Sequence, residues 1–282
     1  EAGIEIDGAL VELTRRGLLR RQAEGEFIFK HALTHEVAYG GVLKSRRRTL
    51  HDLAAKVTAA VFPAEIEERS AELGFHYERA ERRERAAAFL AAAADRALLT
   101  FSNAEAIAFY RAAVEQIRLA ANSELPARDR RARAADLHER IADTCTQIGR
   151  QEEAREALNE VAALLEENDR VGRSRLHRKE GSSLVADRQP VEAIEAFDRA
   201  DAALGHSPAD QDPAARREWI EIQLARGWGD YWLGRTEQLA AGAERVRPFV
   251  ERDGSAQQRA NFFRNVVLAA FRRDRYVISD QV

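Results

Sequence analysis

Four stretches of this chain carry one pattern, and that pattern constrains the fold more than any other feature. The stretches are residues 103–113, 149–158, 190–200 and a degenerate copy at 233–239. In each full copy a small residue (Ala106, Ala154, Ala193) precedes a larger one (Tyr110, Leu158, Phe197) by one helical turn. A small side chain lets two helices approach closely, and the larger one then fills the space toward the next pair. Upstream of the copies, Ala94, Ala142, Gly181 and Gly227 stand at the matching place on the preceding helix. The repeat positions 106, 154, 193 and 239 step by 48, 39 and 46 residues.

Each copy resembles the second helix of a tetratricopeptide repeat. The resemblance implies an all-α fold, a right-handed superhelix of helical hairpins whose business is to bind a protein or peptide. The steps exceed the roughly 34 residues of the standard repeat, so helices or loops are extended, and a generic helical solenoid is the alternative. Apolar spacing places helices near 65–79, 84–100, 103–120, 130–148, 151–167, 172–187, 190–204, 214–233, 236–252 and 256–275. The connections 122–130 and 205–213, with Pro126, Pro208 and Pro213, are the expected long loops.

Composition agrees with helix: alanine and arginine abound, and only six prolines and sixteen glycines occur among 282 residues. Cys145 is the single cysteine, so no internal disulfide can form and a reducing, cytoplasmic setting is expected. The longest apolar run, 86–94, falls well short of the roughly 20 residues that cross a bilayer. A net charge of −3 gives no global attraction to nucleic acid. The chain starts at Glu1 and contains no methionine, and is read as part of a longer polypeptide.

The first 62 residues differ from the rest. An amphipathic stretch from Ile6 to Leu13 runs to a helix stop at Gly17. Two short segments, 18–21 and 27–30, flank the glycine-bearing turn 22–26 and form the one credible β-hairpin. Apolar spacing then predicts helices over 32–43 and 46–62, the second ended by Pro63. Helix, hairpin and helix make a winged-helix subdomain at 1–62, followed by the repeat domain at 63–282. The string from Phe27 to Tyr39, with Leu43, Arg46 to Arg48, Leu50 and His51, resembles the end of the winged-helix region of STAND-type signalling ATPases. Gly74 to Ala80 and Ala86 to Leu98 resemble the first helical pairs beyond it. In many members of that family a class III nucleotidyl cyclase or a protein kinase precedes the ATPase.

The candidate sites follow from these two resemblances and from local chemistry. In the resembling family the histidine that opens the helix after the hairpin, His31 here, can reach the phosphates of ATP or ADP held by the preceding ATPase domain. His31 and His35 stand four apart beside Glu36, but the order is not His-Glu-x-x-His and no third ligand is evident, so no metal is expected. Lys44, Arg46, Arg47 and Arg48 form a basic run suited to nucleic acid or to an interdomain contact. Trp228, Tyr231 and Trp232 could anchor a partner peptide or pack between neighbouring pairs. Asp136, Glu139 and Asp143 could form an acidic patch that prefers basic partners.

No phosphate-binding Gly-x-x-x-x-Gly-Lys, no Gly-x-Ser-x-Gly elbow and no cysteine ligand set occurs, so no catalytic residue and no cofactor is assigned. The expected function is regulation and protein interaction within a STAND-type ATPase, with a protein or peptide, or the chain's own ATPase domain, as partner. Nucleic acid is disfavoured and a membrane is not expected. The alternative is a transcriptional regulator whose winged helix reads DNA and whose repeats bind an effector; an independent scaffold is a third.

Overall fold

A computed structural model of the chain describes residues 6–23, 26–120, 125–205 and 212–273. Helix α1 (Ile6–Arg15) leads into an antiparallel pair, β1 (Leu19–Ala23) and β2 (Glu26–Phe29), with Leu19 opposite Phe29 and Arg21 opposite Phe27. The hairpin is where the apolar spacing placed it; residues 24 and 25 of its turn lie outside the described residues. Next come α2 (Ala32–Gly40), α3 (Lys44–Val61), a short 3₁₀ turn at Pro63–Glu65, and α4 (Ser70–Arg79). Nine more helices follow: α5 (Arg83–Leu99), α6 (Asn103–Leu119), α7 (Ala127–Gln147), α8 (Gln151–Leu164), α9 (Arg170–Ala186), α10 (Pro190–Leu204), α11 (Pro213–Trp232), α12 (Thr236–Asp253) and α13 (Ala256–Arg273).

The chain is thus mostly helical, with one two-stranded sheet among the described residues. Two differences from the apolar spacing stand out. The helix expected over 65–79 is split, because Pro63 opens a separate 3₁₀ turn before α4. Helix α7 starts at Ala127, directly after Pro126, so that proline caps a helix rather than sitting within a loop. Helices α9 and α11 begin on aspartates: Asp169 accepts from the Gly172 N–H at 2.7 Å, and Asp212 from Ala214 and Ala215 at 2.7 and 3.1 Å.

Five connections in the helical series share one turn. A residue in the left-handed region, at Glu81, Phe101, Gly149, Arg188 and Gly234, has φ between +57° and +79°. The next N–H reaches back five residues: Arg82 to Tyr77, Ser102 to Ala97, Arg150 to Cys145, Gln189 to Leu184 and Arg235 to Asp230, at 2.8–2.9 Å. The left-handed residue itself bonds back three, from Glu81 to Glu78 and likewise at the other four. These paired bonds satisfy carbonyls that a helix end leaves open. Around every such turn the side chains repeat. Seven residues before it stand Gly74, Ala94, Ala142, Gly181 and Gly227; five after it stand Ala86, Ala106, Ala154, Ala193 and Leu239; nine after it stand Leu90, Tyr110, Leu158, Phe197 and Ala243. All fifteen are buried.

Close approach is visible at Gly181, where an added methyl group would lie 2.6 Å from Cε1 of Phe197. Phe197 therefore covers Gly181 on its own partner helix, within a buried cluster that continues into α11. At the last turn the sizes are exchanged, with Leu239 in the small position and Ala243 in the large one, so the pair keeps its volume. The 74–81–86–90 unit is a fifth copy beyond the four seen in the sequence.

Consecutive helices pack on one another from α3 to α13. One buried cluster spans α5 to α9, a second α10 to α13, and a small third joins Ala55 of α3 to Leu73, Tyr77 and Ala86. The expected division at residues 62 and 63 thus falls between α3 and α4, which pack together. In contrast, α2 has no buried residue, and Leu19 is the one buried residue of the described part preceding it.

Arg188 tests the turn. Its side chain is exposed without a hydrogen bond or ion pair among the described residues, and φ of +60° costs an L-residue about 1–2 kcal/mol. Glycine escapes that cost but loses more chain entropy on folding. The Arg188→Gly variant is expected to gain about 0.5–1 kcal/mol, and Gly149→Ala to lose about 1–2 kcal/mol, in urea midpoints.

Candidate functional site

The hairpin delivers His31 to the first position before α2, with extended backbone (φ −132°, ψ 134°). Its ring is exposed and makes no capping hydrogen bond. His31 and His35 do not form a pair. One turn further on, His35 lies edge-on to Phe29 at 5.2 Å and stacks on Tyr39 at 5.8 Å between ring centres. The Tyr39 hydroxyl is 2.9 Å from Nε2 of His51, and Nδ1 of His51 is 2.9 Å from Nδ1 of His76. A row of rings therefore joins β2, α2, α3 and α4, with Phe75 edge-on to His51 and His76. Two facing Nδ1 atoms can share one proton but cannot both carry one. Burial, then His76, Arg79 and Arg47, holds the His51 pKa below the ordinary imidazole value; burial lowers that of His76, against Glu72. Sequence reading missed this pairing because His51 and His76 are 25 residues apart and no local spacing signals their contact.

The basic run is largely engaged within the chain. Lys44 lies 3.5 Å from Glu81, Arg48 pairs with the same carboxylate, and Arg47 sits 4.9 Å over the Tyr39 ring. Of the four cations, Arg46 alone makes no such contact among the described residues. One turn on, Asp52 accepts from Arg82 at 2.9 Å and Lys56 at 2.6 Å, which pulls its pKa down to about 2. An acidic turn residue, Glu81, thus meets the two ends of the run, Lys44 and Arg48.

The acidic residues likewise have partners within the chain. Asp136 pairs with Arg140 at 2.9 Å, Glu139 with Arg175 at 2.9 Å, and Asp143 with Lys179. Each of these acids meets a cation from its own helix or from α9, while Asp136 and Asp143 stay exposed. Trp228, Tyr231 and Trp232 form one cluster, with ring centres 5.5–6.3 Å apart. Arg264 lies over Trp228 at 5.2 Å and Arg272 over Tyr231 at 4.5 Å, both from α13. The two inner rings are half-buried beneath these guanidinium groups, while Trp232 stays 53% exposed. Two rings thus pack on the next helix and one faces outward.

The chain matches no protein-family model, no curated protein and no solved structure. Among the described residues, no three His, Cys, Asp or Glu side chains converge as metal ligands would, and no helix is long and apolar enough to cross a membrane. A polar cavity of about 460 Å³ was not expected from the sequence; Trp219, Gln223, Arg226 and Asp230 of α11 line it. The signal for it is polar residues at helical spacing where a buried stripe should be apolar.

The imidazole pair makes stability depend on pH with a definite sign. A histidine whose folded pKa lies below its unfolded value near 6.5 binds fewer protons when folded, so folding loses stability as pH falls below about 6.5. Urea midpoints for the chain should drop between pH 7.5 and 5.5. The His51→Gln/His76→Gln variant should show a flatter dependence, the remainder coming from His138, whose pKa is also lowered by burial.

Proposed function

We propose that this chain is a regulatory and protein-interaction region of a STAND-type signalling ATPase, without catalysis of its own. In this reading α1, the β-hairpin, α2 and α3 form a winged helix, and the later pairs form a right-handed superhelix of tetratricopeptide-like hairpins. The hairpin between α1 and α2 supports the first part, and the five recurring turns support the second. The ATP or ADP of the reading belongs to the ATPase domain, with His31 presented toward its phosphates.

The observation that carries the reading is an uncovered apolar face. On α3, Leu50, Leu53, Val57 and Val61 recur at helical spacing and are exposed; on α2, Leu33 and Val37 are 70% and 68% exposed. Helices this short gain most of their stability from burying one face against a neighbour. A continuous apolar stripe on a soluble domain marks a contact surface, and an adjoining ATPase domain is the occupant this reading assigns. The transcription-factor alternative draws on the basic run, which has only Arg46 free of partners within the described chain.

Two measurements test the proposal. The polypeptide should carry a phosphate-binding loop ahead of this region, and its absence would overturn the ATPase assignment. In that polypeptide, His31→Ala should weaken ADP binding and raise basal output on the order of tenfold, which corresponds to about 1.4 kcal/mol of lost contact in the closed state. The melting temperature of the isolated chain should stay unchanged, since the His31 ring makes no capping bond. Unchanged ADP affinity and output would remove His31 from the site.

A further inference from the structure

The cavity of about 460 Å³ lies among α10, α11 and α12. Helix α10 lends Asp198 and Asp201, α11 lends Trp219, Gln223, Arg226 and Asp230, and α12 begins after Arg235 and lends Arg245. The spacings 219, 223, 226 and 230 put the α11 residues on one face, so the cavity runs along the helix.

Most of the charges here are satisfied. Arg226 pairs with Asp198 at 2.6 Å. The Gln223 amide nitrogen donates to both Asp201 oxygens at 3.2 and 3.1 Å, and its oxygen accepts from Arg245 at 3.1 Å. Two groups are left over. Asp230 is only 5% exposed and lines the cavity, yet among the described residues its carboxylate makes no direct hydrogen bond or ion pair, and Arg226, Arg235 and Arg245 act on it only at longer range. Arg235 is exposed, and its guanidinium likewise has no partner. The turn at Gly234 closes the backbone between them, Arg235 N–H to Asp230 C=O at 2.8 Å, but the two side chains do not meet. Arg245 adds a second cation whose one hydrogen bond goes to a neutral amide.

A buried carboxylate with no direct partner, held only by arginines at longer range, costs a fold desolvation energy, and asparagine at that place would lower the cost. The energetics of folding do not account for it, whereas a ligand that brings the missing charge does. We propose that this cavity binds a small zwitterion of the free-amino-acid class, its ammonium on Asp230 and its carboxylate on Arg235 and Arg245. A cation alone would face the two unmatched arginines, and an anion alone would leave Asp230 unmatched. The volume suits a small ligand, and the Trp219 ring offers an apolar wall for its aliphatic part. The site stands independently of the ATPase reading.

The test is titration calorimetry of the whole chain with each standard amino acid, and with the N-acetyl and amide forms of any that bind. The expected result is saturable binding of at least one free amino acid, weakened about tenfold or more in either blocked form. Asp230→Asn should weaken it about tenfold or more while leaving the melting temperature unchanged or higher, and the exposed Arg235→Gln should weaken it without touching the fold. Equal binding of the N-acetyl form would reduce the cavity to an anion site, equal binding of the amide to a cation site, and either overturns the proposal. So does the absence of saturable binding by every standard amino acid.

Discussion

The repeated turn is the constraint on which the helical series depends. A left-handed residue followed by a bond five residues back leaves the chain little choice of exit direction. Once that direction is set, the residue seven before the turn comes against the one nine after it, as Gly74 against Leu90 and Gly181 against Phe197. A small side chain seven before the turn lets the residue nine after it pack closely at four of the five turns, and at the fifth Leu239 and Ala243 exchange sizes. Three of the five turns pay for the conformation with a non-glycine residue at positive φ. That these still close the same way shows how strongly packing on both sides determines the turn, since the conformation costs each of them roughly 1–2 kcal/mol.

This explains what was legible in the sequence and what was not. Small and large residues at fixed spacing are local signals, so Ala106 with Tyr110, Ala154 with Leu158 and Ala193 with Phe197 revealed the helical pairs. The Gly74–Glu81–Ala86–Leu90 unit escaped notice as a copy because its large position holds Leu90 within an alanine run, 86–94, where the small-to-large contrast is blurred. The direction of packing escaped too: nothing in the string says that Phe197 lies over Gly181, 16 positions back on its own pair. The site residues show the same limit. His31 is readable as the residue that opens a helix after a hairpin, but the His51–His76 contact joins separate helices.

Charge was the hardest property to read. Lys44, Arg46, Arg47 and Arg48 form an obvious run, and Asp136, Glu139 and Asp143 share a face, yet Lys44 and Arg48 meet Glu81 of the α4–α5 turn, and Glu139 and Asp143 meet cations of α9. In a chain this rich in arginine and glutamate, most local clusters are closed by a neighbour, and exposed pairs of this kind contribute little stability. A cluster is therefore a weak sign of a binding surface. The informative case is the reverse, an ionised group that the fold has every opportunity to pair and leaves unpaired. Asp230 is such a group, with Arg226, Arg235 and Arg245 all acting on it at longer range.

The two ends of the chain are held together by different physics. From α5 onward, buried alanines, leucines and aromatics provide continuous packing, so the series is stabilised mainly by neighbour contacts. At α2 no residue is buried, and a helix of nine residues does not stand alone in water. Its contact with the rest runs through one line of rings, Phe29, His35, Tyr39, His51 and His76. Each link is an edge contact, a stack or a single hydrogen bond, individually on the order of 1 kcal/mol. The position of α2, and with it the presentation of His31, thus rests on a few weak polar and aromatic contacts beside an uncovered apolar face. A partner that buries Leu33 and Val37 would contribute more than the whole row does, because each fully buried aliphatic side chain gives about 1.5–3 kcal/mol. Under the proposed reading, the arrangement of α2 is therefore set by what covers it rather than by the repeats that follow.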